Sequence, residues 1–599
     1  MHFRPLGPLI AALLLAACGP APRDWPVARD LAAELPLSEA RREAEPAGPP
    51  RPPGPVDRNL AMRVAEGIAI AGGARIDGYL EVHGRTAIGI EGVASRGGAP
   101  RVEILVQVEG GSETVLARLE PGAKGGAWEI PGDGERLVRW TFRATGDATA
   151  WAIVRRPVVR SIDPLHPSPP KPAAPKSPSA KRPNVLLFLI DTLRADRVGA
   201  YGSTRGLTPR IDALAGQGIV FERTTAASSW TRPATATILT GLPPAVHGAN
   251  RLDRRLPPAA RTLAEVLQEG GYRTGGFSAN AHITAASGFA QGFDHFEFLD
   301  ELARGDALGG RALAWLDESV SAPDRGPAPF FLYVHAIDPH APYEPPEDLR
   351  GRFAGNVPSG SGSLAKVEEI YRALDRHRPE ARGLVAQMSP LYDAEIAGID
   401  RSFGILLDEL ERRGRLAETL VVVISDHGEE FGEHGGLGHG KTLYHEVLDV
   451  PWIVRLPGAT AGRRIATPAA HLDVMPTVLA ALGIPAGAGL RGVDRLGPET
   501  REGPRFSHLD YEGRQGGSIE LGNWHLIEPW SRKFSHAAKL FDLAADGQET
   551  RNLAAENPVR AGYLRSLLRA EHLAERRRFT ASAPLGAEER KALEALGYL

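Results

Sequence analysis

Three short runs of apolar residues constrain this chain more than any other feature: VLLFLI from Val185, FFLYV from Phe330 and LVVVI from Leu420. Helical patterning separates them. Continuous apolar strands between helices predict a mostly parallel sheet covered on both faces, because a strand with one wet face would alternate apolar and polar residues. Polar residues end each run: Asp191 after the first, His335 after the second, Asp426 with His427 after the third. Open α/β sheets gather their ligand crevice at the carboxyl ends of strands, so these four residues are predicted to meet at one site.

Two longer segments sharpen that expectation. SSWTRPATATILTG, Ser228 to Gly241, places Thr231 two residues before Pro233, and Pro in a first turn suits a helix over roughly 233–240. Free backbone N–H groups there would face an anionic group carried by the Thr231 hydroxyl, although Thr231 also suits a plain N-cap. VVVISDHGEEFGEHG, Val421 to Gly435, supplies Asp426 and His427. With Asp191 these offer two carboxylates and an imidazole for a divalent ion, strand-end capping being the alternative. Glu429, Glu430 and Glu433 are expected to be solvated loop carboxylates.

A chain of 599 residues exceeds one domain. Alternating segments such as ARIDGYLEV, RVEILVQV and RLVRWTFRAT, separated by Gly-rich turns, predict a small all-β sandwich over 57–161. Its Trp128, Trp140 and Trp151 suit either core packing or a sugar-stacking platform. A Pro/Ala-rich stretch, 18–56, reads as a tether, and a Pro-rich linker, 162–182, precedes a catalytic domain at 183–500 and a C-terminal subdomain with a helical tail at 501–599. The net charge of −3, without an aromatic-studded basic stripe, argues against nucleic acid.

Cys18 is the only cysteine, which excludes an intrachain disulfide and any active-site cysteine. It follows Arg4, a short apolar core and small residues, a signal segment at 1–17 too short to span a bilayer once matured. LAAC, ending at Cys18, resembles the lipobox of bacterial lipoproteins. That resemblance implies lipidation of Cys18, a membrane partner through the N-terminal lipid, and a place in the bacterial cell envelope facing the periplasm or exterior.

From Pro183 onward the chain resembles the sulfatase family of the alkaline phosphatase superfamily. The matching stretches are NVLLFLIDTLRADRVGAYG, the TxP…LTG segment, HAIDPHAPYEPP, SDHGEEFGEHG, HGKTLYHEVLDVPWIV, HLDVMPTVLAALGIP and KLFDLAADGQETRNLA. The resemblance implies an α/β sandwich of that family and one divalent ion, calcium, magnesium, manganese or zinc, held by Asp191, Thr231, Asp426 and His427. It implies catalytic roles for Thr231, for His340 as proton donor, for His439 and for Lys441, the nearest amine to the family's active-site lysine. Arg232, Asn280, His335 and Asp338 stand where substrate contacts are expected. The spacing of Asp338 and His340, with Pro342 following, argues against a second catalytic ion.

The chain departs from the family at the nucleophile. Sulfatases carry Cys or Ser there and oxidise it to formylglycine; threonine cannot form that aldehyde, so no formylglycine is expected. Thr235 replaces the motif arginine, and Ser278 and Asn280 replace a lysine and a histidine. A plain threonine is the nucleophile in phosphodiesterase and phosphoethanolamine-transferase relatives, which shifts the expectation toward phosphorus. The implied activity is hydrolysis of a sulfate or phosphate ester, on a glycan or a lipid. A phosphoryl transferase acting on envelope material and a non-catalytic anion-binding descendant are the alternatives.

Overall fold

The computed structural model describes residues 27–30, 40–42, 61–64, 67–161 and 182–576, with gaps at 83, 133, 147–148, 301–302, 320–327, 488 and 498–501. The signal segment, Cys18 and positions 162–181 of the linker lie outside the described residues. The chain forms two compact units, 1–171 with 552–570, and 172–551 with 571–599. Among the described residues no helix is long and apolar enough to cross a membrane.

The first unit is an all-β sandwich. One sheet runs Ala40–Arg42, Ala74–Val82, Arg136–Thr145, Arg101–Val108, Thr114–Leu119, and a seven-stranded sheet is centred on Thr86–Arg96. Alternation along each strand turns Ile76, Ile88, Ile104, Val138, Phe142 and Val154 inward. Trp140 is core: it lies opposite Gly78, where an added Cβ would meet its ring at 2.2 Å. Trp128 and Trp151 pack against that core from its edge.

Two boundaries differ from the sequence reading. Strands Val27–Asp30 and Ala40–Arg42 fall inside the expected tether and pair with Val158–Ser161 and Ala74–Val82. Such short, polar strands carry too little apolar alternation to stand out. The helix Pro558–Arg576, expected as the helical tail of the C-terminal subdomain, belongs to the sandwich unit over 558–570, where Arg560 makes a bidentate pair with Glu109 at 2.7 and 2.6 Å.

The second unit is built on an eight-stranded sheet of β1 (Asn184–Ile190), β2 (Ile219–Phe221), β3 (Arg273–Ser278), β4 (His295–Phe298), β5 (Phe330–Ala336), β6 (Thr419–Ser425), β7 (Trp452–Arg455) and β8 (Arg463–Ile465). The order is β4-β3-β5-β1-β6-β7-β2-β8, parallel from β4 to β6, with β7 antiparallel to both neighbours. Every residue of β1, β5 and β6 is buried. Alternate residues sort to opposite faces: Leu186, Phe188 and Ile190 pack with Ile396, Ile399 and Phe403, whereas Val185, Leu187 and Leu189 pack with Ile238, Leu239, Val474 and Val478. The continuous apolar runs are thus explained by helices on both sides.

The helices that matter for the site are α1 (Thr231–Thr240), α2 (Ala381–Arg412), α3 (His445–Leu448) and α4 (Val474–Ala481). An antiparallel sheet follows, of β9 (Arg505–Tyr511), β10 (Arg514–Leu521), β11 (Trp524–Pro529) and β12 (Lys539–Asp542). Residues 501–551 belong to the same compact unit as the eight-stranded sheet.

Candidate active site

Register brings the site together. Ile190 at the end of β1 pairs with Ala336 of β5 and Ser425 of β6, so Asp191 and Asp426 leave the sheet at the same level. Ligating atoms of Asp191, Asp426 and His427 lie within 4.8 Å of one another, and all three residues are fully buried. Thr231 enters from α1, its hydroxyl 3.3 Å from His427 Nε2. The helix begins at Thr231 itself with Trp230 as N-cap, so Thr231 is the first helical residue rather than the cap, and Pro233 is the third.

The backbone around Asp191 is held in an uncommon conformation. Thr192 has φ of +55°, and there its N–H donates to Asp426 Oδ1 at 3.1 Å while its carbonyl accepts from the Tyr392 hydroxyl at 2.7 Å. A non-glycine left-handed residue costs about 1 kcal/mol or more and persists where its surroundings over-determine it. His471 braces the opposite side: its Nε2–H donates to the Ser425 carbonyl at 3.0 Å and its Nδ1 accepts from Ala227 N–H at 3.2 Å. Burial lowers this ring to a pKa of about 3 and keeps it neutral, as that tautomer requires.

Two buried carboxylates without an intervening cation are electrostatically incomplete. Asp191 Oδ1 and Asp426 Oδ2 have no hydrogen-bond partner among the described residues. Burial and the charge of Asp191 push the Asp426 carboxyl well above the usual carboxylate range. Burial would raise Asp191 too, but His335, His340 and His427 hold it well below that range. His427 donates from Nδ1 to the Gly428 carbonyl at 3.0 Å, which leaves Nε2 as a lone pair facing the carboxylates. Burial, then His439, keeps its pKa well below the usual histidine range. Orphaned oxygens and an oriented neutral imidazole make a donor set that a divalent ion fits.

The other expected site residues divide into two groups. His340 and His439 join the site: the His439 ring centroid is 4.4 Å from that of His427 and 5.0 Å from that of His340. His439 Nδ1 is 2.9 Å from Glu429 Oε1, and Glu429 Oε2 accepts from the Tyr343 hydroxyl at 3.1 Å. Burial lowers the His439 pKa, but Glu429 outweighs it and the net shift is upward. Lys441 lies over the Tyr371 ring at 3.7 Å and donates to the Leu437 carbonyl at 3.3 Å. Asn280 Nδ2 donates to Asp191 Oδ2, so it orients a carboxylate from behind. His335 is likewise buried, with Nε2 3.8 Å from Asp191 Oδ2 and Nδ1 3.0 Å from the Tyr333 hydroxyl.

Arg232 and Asp338 are engaged differently from the substrate contacts expected of them. The Arg232 guanidinium is fully buried, donating to the carbonyls of Arg251, Leu252 and Arg254 and lying 3.3 Å from His282 Nδ1. It secures the 251–254 loop against α1. Asp338 Oδ2 accepts from Gly305 N–H at 3.1 Å, beside Arg304 and Glu395.

Glu429 and Glu430 correct the expectation of solvated carboxylates, since they are 1% and 2% exposed. The short ladder of Glu430–Phe431 with Leu437–Gly438 folds the segment back over the site. His282, also buried beside Arg232, carried no spacing signal. Glu429 carried no signal of its own beyond the acidic run it belongs to.

The sulfatase family model matches residues 183–484. The chain belongs to the sulfatase family. A sulfatase named YidJ, of uncharacterised function, from Escherichia coli K12 is 25% identical over 394 residues, covering 57% of this chain and 77% of its own. The solved structure of BT4656 with its substrate D-glucosamine-2-N,6-O-disulfate superposes with a TM-score of 0.55 at 21% identity, covering 66% of this chain and 98% of that one. The phosphonate monoester hydrolase of Agrobacterium radiobacter superposes with a TM-score of 0.53 at 22% identity, covering 65% and 96%. At those identities the two structures speak to a shared fold. The protein is therefore a sulfatase-family hydrolase with the fold those two structures share.

Proposed function

We propose that the protein is an exported, lipid-anchored, metal-dependent hydrolase that cleaves a phosphate or sulfate ester through Thr231, with phosphoester chemistry slightly favoured. The observation that carries this reading is Thr231, a residue 2% exposed at the start of α1, with its hydroxyl 3.3 Å from His427 Nε2 beside the orphaned oxygens of Asp191 and Asp426. Asp191, Asp426, His427 and Thr231 would hold the ion. Bound there, it supplies positive charge that favours the ionised hydroxyl and polarises the ester.

The chain's own groups account for the remaining steps. Thr231 Oγ1 attacks phosphorus in line, forming an Oγ1–P bond as the bond to the leaving oxygen breaks. Free N–H groups at the start of α1 face the charged group. His439, whose pKa Glu429 raises, gives its Nε2 proton to the leaving oxygen, in place of the His340 expected from the sequence. Water gives a proton to the same imidazole as its oxygen displaces Thr231 from the phosphothreonine, so Thr231 leaves as the ionised oxygen that began the cycle and His439 is protonated again. A sulfate ester would follow the same path, but threonine lacks the second hydroxyl by which formylglycine expels sulfate. Export and anchoring rest on the signal segment and Cys18 alone.

The test is turnover by the metal-replete protein of an aryl sulfate, a phosphate monoester and a phosphodiester, beside Thr231→Ala and Asp426→Ala. The proposal expects phosphoester turnover that both substitutions abolish. Equal background from all three proteins would refute it, and sulfate turnover lost in Thr231→Ala would replace phosphorus by sulfur.

A further inference from the structure

A second group of metal-ligating side chains lies where α3 meets the β9–β12 sheet, on elements the catalytic chemistry does not use. His445 opens α3, and His525 stands in β11 directly opposite Glu520 of β10. Glu549 follows β12 in a turn where its own φ is +52°. One ligating atom from each of His445, His525 and Glu549 lies within 4.8 Å of the other two. His525 is fully buried and Glu549 is 2% exposed.

Both imidazoles already face carboxylates, and for His525 that carboxylate belongs to the ligand set itself. His525 Nδ1 makes a short contact with Glu549 Oε1, and His445 Nδ1 lies 3.6 Å from Asp449 Oδ2. Asp449 behind Nδ1 of His445 fixes that tautomer and leaves its Nε2 bare, whereas His525 presents Nδ1 to Glu549, a nitrogen and an oxygen between which a cation would take the place of the shared proton. Nε2 of His445 and Nε2 of His525 are both shielded from solvent, and neither has a hydrogen-bond partner among the described residues. The rings are near-parallel, 5.6 Å between centroids.

The charge balance points the same way. Glu520 is committed to Arg505 at 2.9 Å and to the Thr225 hydroxyl at 3.1 Å. Glu549 and Asp449 make no salt bridge to a lysine or arginine among the described residues and pair with the two histidines instead, while Glu549 Oε2 accepts from the His445 backbone N–H at 2.8 Å. A buried carboxylate held against one imidazole, with a second imidazole beside it, is completed by a cation that takes both nitrogen and oxygen.

We propose that His445, His525 and Glu549 bind a second divalent metal ion, with Asp449 orienting His445, and that the ion is zinc. Two imidazoles and one carboxylate are a ligand set that zinc takes readily. The ion would join α3, β11 and the turn after β12, three segments distant in sequence, and so act structurally.

The experiment is zinc content after chelator stripping, reloading with zinc and gel filtration. It compares the wild type with Asp426→Asn, His525→Gln, Glu549→Gln and the Asp426→Asn/His525→Gln double variant, each checked for native circular dichroism. Asp426→Asn protein is expected to retain one zinc, and the double variant to retain none. Cobalt-loaded Asp426→Asn protein should show a visible absorption band that the double variant lacks. Should His525→Gln fail to fold, a loss of tenfold or more in zinc affinity in Glu549→Gln carries the same meaning. Folded Asp426→Asn protein without zinc or a cobalt band would overturn the proposal, as would unchanged zinc content in His525→Gln.

Discussion

Replacing Asp426 by Asn should make the metal-free protein more stable and the metal-loaded protein less so. In the metal-free state the carboxylates of Asp191 and Asp426 present ligating oxygens no more than 4.8 Å apart, fully buried. At that distance two unit charges repel by about 3.5 kcal/mol with an effective dielectric constant of roughly 20. If Asp426 instead takes a proton, the cost of holding it stands in place of part of that repulsion. Asparagine keeps the Oδ1 that accepts from Thr192 and His427 N–H, and turns an amide toward the orphaned Asp191 Oδ1. The expected gain is about 3 kcal/mol, or roughly 3–4 °C in melting temperature for a unit of this size. Wild-type protein at a metal concentration of about 100 times Kd should gain about 2.7 kcal/mol, and the variant far less. The assay is thermal melting of both proteins in EDTA and with each of calcium, magnesium, manganese and zinc. A variant that melts below wild type in EDTA, or gains as much from the activating metal, would refute the reasoning.

Three further outcomes follow from the same geometry. Glu429→Gln removes the charge that raises the His439 pKa, so the alkaline limb of the pH–rate profile, where the proton donor is lost, should move to lower pH; an unmoved limb would exclude His439 as the donor. Burial, with Asp338 nearby, pushes Glu395 up to about 8 from an ordinary 4.5. The folded protein thus holds a proton that the unfolded chain releases between pH 4.5 and 8, and stability falls through that window. Glu395→Gln should melt above wild type at pH 8.5 and level with it at pH 4, and identical melting at both would contradict the assignment. Gly78→Val in the sandwich sets a side chain into the Trp140 ring and should cost roughly 1–3 kcal/mol, read as a lower urea midpoint; an unchanged midpoint would show that the ring moves freely.

The sheet and the position of the site were legible because both rest on local signals. A strand buried on both faces must be apolar throughout, and a polar residue ending such a strand has few places to go. Asp191, Asp426 and His427 were therefore readable as one cluster, to which the family resemblance added Thr231, and the register of β1 with β5 and β6 supplies the geometry. Other residues depend on partners far away in sequence. Arg232 is taken up by carbonyls of the 251–254 loop, and nothing in its own neighbourhood announces that. Glu429 reads as one member of an acidic run until the chain returns through Leu437–Gly438 and closes it against His439 and Tyr343. The strands at Val27 and Ala40 are too short for alternation to register, and the helix at Pro558 carries a surface-like pattern although Arg560 and Tyr563 bond to the sandwich.

The identity of the nucleophile is tested most directly by rapid quenching of the metal-loaded protein with a phosphodiester, followed by intact-mass and peptide analysis. The account predicts a phosphoryl adduct on Thr231 that forms and decays within turnover and is absent from Thr231→Ala, together with the activity. Turnover by Thr231→Ala at the wild-type rate, or an adduct on another residue, would contradict it.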